Sequence, residues 1–99
     1  IEMYQETLRD YLKEIDSKKA KLKEYLEKQD MPNYAILVHS MKSDAKYLGF
    51  MSLAEIAYQH ELKGKENDSK YCKENFKELE EELEKYITIA KEYDEHKAN

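Results

Sequence analysis

One histidine in the middle of the chain lies in surroundings that suit a reactive side chain. At about 100° per residue, a helix through this region places Leu37 and Met41 on one side and His39 about 200° away from Leu37. His39 is therefore predicted to face solvent, flanked by Lys42 and Lys46. A neutral imidazole nitrogen is nucleophilic near pH 7, and neighbouring ammonium groups offset phosphate charge. These residues suit phosphoryl acceptance, although an ordinary surface histidine has the same helical position.

A helix must carry His39, and the sequence supplies its two ends. Asp30 can cap the first turn, and Pro32 occupies a position where its missing N–H costs nothing. Gly49 suits the left-handed conformation that follows a helix C-terminus. We therefore predict a helix from about residue 31 to Gly49, with His39 near its middle.

Apolar residues at helical spacing predict three further helices. In the first, one long helix or two pieces divided near Ser17, they are Tyr4, Leu8, Tyr11, Leu12, Ile15, Leu22 and Leu26. Ser52 and Glu55 fit a capping box that starts a third helix, and Gly64 is expected to close it. A fourth, long helix follows a cap in residues 67–69; its apolar residues are Cys72, Phe76, Leu79, Leu83, Tyr86, Ile87, Ala90 and Tyr93.

Four amphipathic helices with short connections predict an all-α fold, an antiparallel up-and-down four-helix bundle. No segment alternates like a half-buried strand. Residues 1–99 are interpreted as one domain, and residues 95–99 are expected to fray because they carry little apolar character. Since the chain starts at Ile1 without an initiator Met, we expect a fragment of a larger protein.

Composition argues against several classes of function. The chain has 17 basic and 22 acidic residues, a net charge of −5 that opposes nucleic-acid binding. No apolar run approaches the roughly 20 residues that span a bilayer, so no direct membrane contact is expected. A lone Cys72, interpreted as a packed side chain, agrees with a reducing, cytoplasmic location. Bundle metal sites use Glu-x-x-His pairs, which are missing, and His60 and His96 are interpreted as surface residues.

The eleven residues from His39 to Gly49 resemble a known signature. They read H-S-M-K-S-D-A-K-Y-L-G and are similar to the H-x-L-K-G-x-x-x-x-L-G pattern of histidine-containing phosphotransfer domains. His39 matches the phosphorylated histidine, Lys42 the lysine, and Leu48 and Gly49 the closing pair. The family's helical bundle, with its histidine in the second bundle helix, matches the layout predicted above.

The resemblance implies a relay of phosphoryl groups between receiver domains of response regulators or hybrid sensor kinases, without autonomous kinase activity. Nε2 of His39 would accept the group, Lys42 would stabilise its charge with Lys46 as second candidate, and Mg²⁺ would come from the receiver, with no cofactor in this domain. The receiver would dock on the exposed face of the second helix. The expected contact residues are Ala35, Ile36, Ser43, Tyr47, Leu8 and Tyr11, with Tyr4 a further contributor; core packing is the competing interpretation for Leu8 and Tyr11.

Met41 conservatively replaces the Leu of the pattern, and two positions depart further: Ser43, and Asp44, which stands where the family usually has Ser or Ala. Ser43 replaces the usual Gly but is still small. Asp44 falls near the buried side of its helix, so we expect it to bond a Tyr or Lys of a neighbouring helix. The non-catalytic alternative is a helical adaptor or dimerisation module in which His39 has no chemical role.

Overall fold

The computed structural model describes the backbone of residues 2–98 and the side chains of residues 6–93. Five helices follow one another: α1 (Glu2–Glu27), α2 (Met31–Leu48), α3 (Met51–Lys65), α4 (Ser69–Glu74) and α5 (Phe76–Ala98). No strand occurs among these residues. The described part of the chain is thus an all-helical bundle, as predicted, with one helix more than expected.

The three longer connections share one way of ending a helix and starting the next. Gln29, Gly49 and Asn67 each adopt a positive φ, of 57°, 84° and 61°. The next residue's N–H then donates to the carbonyl five residues back; these pairs are Asp30 to Tyr25, Phe50 to Ala45 and Asp68 to Lys63, each 2.8 Å. This is the Schellman arrangement, which satisfies helix-end carbonyls and reverses the chain within two or three residues.

Side-chain caps support two of the helix starts as predicted. Asp30 accepts a hydrogen bond from the backbone N–H of Asn33, with Pro32 in the first turn of α2. Asp68 accepts from the N–H of Tyr71 at the start of α4. Both carboxylates satisfy a backbone donor that the helix leaves free.

α3 begins and ends within one residue of the predicted bounds, but the roles predicted for Ser52 and Gly64 at its ends are both wrong. Phe50 precedes the first helical residue and offers no side-chain cap, while Ser52 lies inside the helix. The Ser52 hydroxyl instead donates to Glu82 Oε2 at 3.0 Å and bonds the Tyr86 hydroxyl at 2.8 Å, both on α5. Gly64 lies within α3 and is buried. Both residues therefore serve contacts between helices, which local patterns do not reveal.

Of the two long helices, α1 agrees with the prediction of one continuous helix and the predicted fourth helix does not. α1 is unbroken through Ser17, whereas the predicted fourth helix is divided at Asn75 into α4 and α5. The side-chain amide of Asn75 donates to the carbonyl of Tyr71 at 2.9 Å, which accompanies the break. The predicted frayed tail, residues 95–99, has side chains outside the described residues and stays a prediction, as does the contribution of Tyr4.

One apolar core joins all five helices. The predicted stripe of α1 is buried through Leu8, Tyr11, Ile15, Leu22 and Leu26, and α5 contributes Leu79, Leu83, Ile87 and Ala90. Tyr34, Val38, Met41 and Ala45 form the buried side of α2. Because this side of α2 is committed to the core, its opposite side is presented to solvent.

Candidate functional site

His39 projects from the exposed side of α2, as predicted. Its side chain is 57% exposed, while Val38 beside it in sequence is fully buried. His39 lies in the middle of a well-packed helix, so its backbone is held rigidly. The side of the imidazole ring away from the core is accessible to solvent.

A stripe of small residues on α3 lets this helix pack closely against α2 beneath the His39 ring. Ala54, Ala57 and Gly64 are buried along the face of α3 that carries Glu61. A Cβ added at Gly64 would come within 3.2 Å of the Ala35 Cβ, which shows how closely α2 and α3 approach there. The close approach buries Glu61 directly against α2, with its side chain only 3% exposed.

Glu61 gathers three nitrogen atoms around one carboxylate. Its Oε2 lies 2.8 Å from His39 Nδ1 and 3.1 Å from Lys65 Nζ, and its Oε1 lies 2.7 Å from Lys42 Nζ. Burial alone would raise the pKa of Glu61, but the contacts with Lys42, Lys65 and His39 outweigh it and hold that pKa at about 2. The carboxylate is therefore ionised at neutral pH.

An ionised carboxylate at Nδ1 determines which ring nitrogen is reactive. A carboxylate only accepts hydrogen bonds, so Nδ1 carries the proton and donates it to Glu61. In the neutral ring, Nε2 then holds the free electron pair. The arrangement can present Nε2 as an oriented nucleophile at the protein surface.

The two lysines predicted to flank His39 have different surroundings. Lys42 is 12% exposed, ion-paired with Glu61, and its ammonium lies 5.0 Å from the ring centroid of Tyr58. Lys46 is exposed and forms no ion pair with a described side chain. Of these two lysines, Lys42 alone belongs to the charged cluster around His39.

A depression of about 510 Å³ opens beside His39 between α2 and the end of α3. Its lining combines apolar side chains, Met31, Ile36 and Ala35 among them, with His39, Glu61 and Lys65. Ile36 is 69% exposed at this surface. An apolar surface that adjoins a nucleophile is suited to a protein partner that excludes water from the reacting atoms.

The predicted contact residues divide into two groups. Ile36, Ser43 and Tyr47 are exposed on α2, as expected. The prediction is wrong for Leu8 and Tyr11, which are buried in the core, so the competing interpretation holds for them. It is also wrong in treating Ala35 as exposed: this residue is 5% exposed because Gly64 packs against it, although it lines the depression.

Asp44 is bonded as expected. Its Oδ2 accepts a hydrogen bond of 2.8 Å from Lys18 Nζ, a residue of α1. The carboxylate at this position is therefore paired across the α1–α2 boundary, and the helical register used to place His39 is supported.

Sequence reasoning missed Glu61 and Lys65 and misplaced His60. His60, expected at the surface, is 1% exposed; its Nδ1 bonds the Tyr34 hydroxyl at 2.7 Å, and Nε2 has no hydrogen-bond partner of ordinary geometry among the described residues. The available signal was the spacing of Ala54, Ala57 and Gly64, which places Glu61 on an inward face. His96 has a side chain outside the described residues.

Neither a metal-binding cluster nor a membrane-spanning helix occurs among the described residues. No group of three or more His, Cys, Asp or Glu side chains is arranged to hold a metal ion. No helix there is long and apolar enough to cross a membrane.

Residues 1–88 of the chain match the family model named Hpt domain. The chain therefore belongs to the Hpt domain family, whose members act in histidine phosphotransfer within phosphorelays and interact with receiver domains of response regulators. No curated protein and no solved structure matches this chain.

Proposed function

We propose that this domain relays a phosphoryl group between aspartates of two receiver domains through Nε2 of His39. The observation that carries the proposal is the hydrogen bond from Nδ1 to the buried carboxylate of Glu61, because it leaves the electron pair on the exposed nitrogen. The family match supports the same chemistry independently.

The proposed transfer needs no reactant other than His39 and the aspartyl phosphate. The Nε2 electron pair attacks the phosphorus of an aspartyl phosphate, an N–P bond forms, and the P–O bond to the aspartate breaks with its electrons returning to the carboxylate. The reverse step loads the second receiver. Such transfers depend mainly on positioning and charge neutralisation, so the domain needs no kinase activity of its own.

Positive charge at the site is proposed to come first from Lys42. Its ammonium is held against Glu61, so it adds fixed positive potential behind the ring. Lys46 is a second, less directly placed candidate. Mg²⁺ is proposed to come from the receiver, which holds the aspartate that reacts.

The receiver is proposed to dock on the face of α2 that surrounds His39. Ile36 and Tyr47 offer exposed apolar surface on this helix, and Ser43, one turn from His39, is small enough to permit close approach. We further infer that the main helices run antiparallel in an up-and-down order. In this order no other helix covers the face of α2 that carries His39.

The test is phosphoryl transfer from a panel of phosphorylated receiver domains to this chain. Label that is acid-labile and alkali-stable is expected on the wild-type chain and lost in His39→Gln, whose helical circular dichroism and receiver binding should persist. If no receiver labels the folded chain, or if His39→Gln is labelled equally, the relay is refuted and the adaptor or dimerisation module becomes the better account.

A further inference from the structure

We propose that Lys65 is the cation that pairs with the phosphoryl group on His39, exchanging its contact with Glu61 for one with a phosphoryl oxygen. This inference rests on the proposed function and assigns a residue outside the His39–Gly49 segment. Lys65 would be the mobile charge of the site, whereas Lys42 would be its fixed charge.

Lys65 and His39 share one oxygen atom of Glu61. Lys65 Nζ and His39 Nδ1 both contact Oε2 of Glu61, at 3.1 and 2.8 Å. The Lys65 ammonium therefore lies no farther from His39 Nδ1 than the sum of these two distances. Lys42 contacts the other oxygen, Oε1.

Lys65 is also far more accessible to solvent than Lys42. The Lys65 side chain is 63% exposed, against 12% for Lys42. Lys65 is the last residue of α3 and lines the depression into which His39 projects. Its long side chain can turn toward a group on Nε2 without unpacking any helix, while Lys42 is held between Glu61 and the Tyr58 ring.

The balance of charges around Glu61 also favours Lys65 as the cation that moves. The Lys65 side chain is 63% exposed, so water solvates its ammonium when the contact with Glu61 opens, and Lys65 loses little by leaving. A phosphoryl group carries more negative charge than a carboxylate and offers three acceptor oxygens. Glu61 would still retain Lys42 on Oε1, so the buried carboxylate would not be left uncompensated.

The competing role for Lys65 is a favourable charge at the C-terminal end of α3. Lys63 shares that last turn, and its side chain is 34% exposed and lies 3.8 Å from Glu66. Lys63→Gln therefore makes the same change in net charge and in helix-end electrostatics. It is a matched control for Lys65→Gln.

The experiment measures phosphoryl transfer from a phosphorylated receiver that labels the wild-type chain, and the distribution of label at equilibrium. Lys65→Gln is expected to slow acceptance and to move the equilibrium toward the receiver, each roughly fivefold. Lys65→Arg should stay within about twofold of wild type because it keeps the charge. Lys63→Gln should match wild type.

Each other outcome overturns the inference in a distinguishable way. A wild-type chain that no receiver labels refutes the proposed function and the role of Lys65 together. Labelling of the wild-type chain with unchanged rate and equilibrium in Lys65→Gln refutes Lys65 alone. An equal loss in Lys63→Gln assigns the effect to net charge, and it too removes Lys65 from the site.

Discussion

Nδ1 of His39 lies 2.8 Å from Oε2 of Glu61, which joins an exposed ring on α2 to a buried carboxylate on α3. The contact fixes both the rotation of the ring and the nitrogen that keeps its proton. The reactivity of His39 therefore depends on how α2 and α3 pack, as well as on its own exposure.

Glu61→Gln tests this dependence. The amide oxygen can still accept from Nδ1, but the negative charge is lost, so we expect phosphoryl acceptance to slow roughly tenfold. The nearly buried Lys42 ammonium also loses its counter-charge, which should lower the free energy of unfolding by about 1–3 kcal/mol. Single-turnover labelling and urea unfolding measure the two effects.

The matched control is Glu66→Gln, which removes a carboxylate that is 63% exposed just beyond α3. Neither its labelling rate nor its stability should change measurably, because exposed pairs contribute little. Acceptance by Glu61→Gln at the wild-type rate would show that the carboxylate does not orient the ring.

Features of α2 could be predicted because their causes are local. The Asp30 cap, Pro32 in the first turn and the left-handed Gly49 depend on neighbouring residues only. The exposure of His39 follows from the same helix, since its other side is a continuous apolar stripe. A correct element and register were therefore enough to place His39 on the exposed side of α2.

Other features could not be predicted because they arise between helices. The local sequence predicts that Gly64 ends α3, yet this residue packs closely against Ala35. The local sequence predicts that Ser52 caps α3, yet its hydroxyl forms hydrogen bonds with Glu82 and Tyr86 of α5. Helical spacing places Glu61 on an inward face, but its contacts with His39 and Lys42 arise only from the packing of α3 against α2.

Gly64→Ala tests the close approach of the two helices. The new Cβ would lie 3.2 Å from the Ala35 Cβ, tighter than ordinary contact, with Tyr34 also near. Overpacking costs about 1–3 kcal/mol, partly offset by the better helix propensity of Ala, so we expect a net loss of about 1 kcal/mol. Because α2 must shift, the His39 ring resonances should move and labelling should slow.

Gly49→Ala is the comparison for that experiment. Its φ of 84° makes Ala unfavourable by about 1 kcal/mol, but no atom lies within 4 Å of the added Cβ. Stability should fall while the His39 resonances stay in place. If the two alanine variants perturb His39 equally, close packing at Gly64 does not set the geometry of the site.

Lys42→Ala should slow phosphoryl acceptance by roughly three- to tenfold, because it removes fixed positive charge behind the ring and leaves Glu61 with Lys65 alone. The labelling rate from one phosphorylated receiver measures the effect. Lys46→Ala, which removes an exposed lysine one turn further along α2, should have a smaller effect. A wild-type rate in Lys42→Ala would remove this lysine from the mechanism.

The buried His60 predicts how stability depends on pH. Burial lowers the pKa of His60, and the Asn75 backbone opposes this only in part. Because the folded state binds the proton less readily, its contribution is complete above the unfolded value of about 6.5 and is lost as pH falls through the lower folded-state pKa. Urea unfolding between pH 8 and pH 5 should show stability decreasing by at most about 1.4 kcal/mol per pH unit.

His60→Gln should flatten this slope whatever its absolute stability, whereas His39→Gln should keep it. An unchanged slope in His60→Gln would assign the pH dependence to other groups.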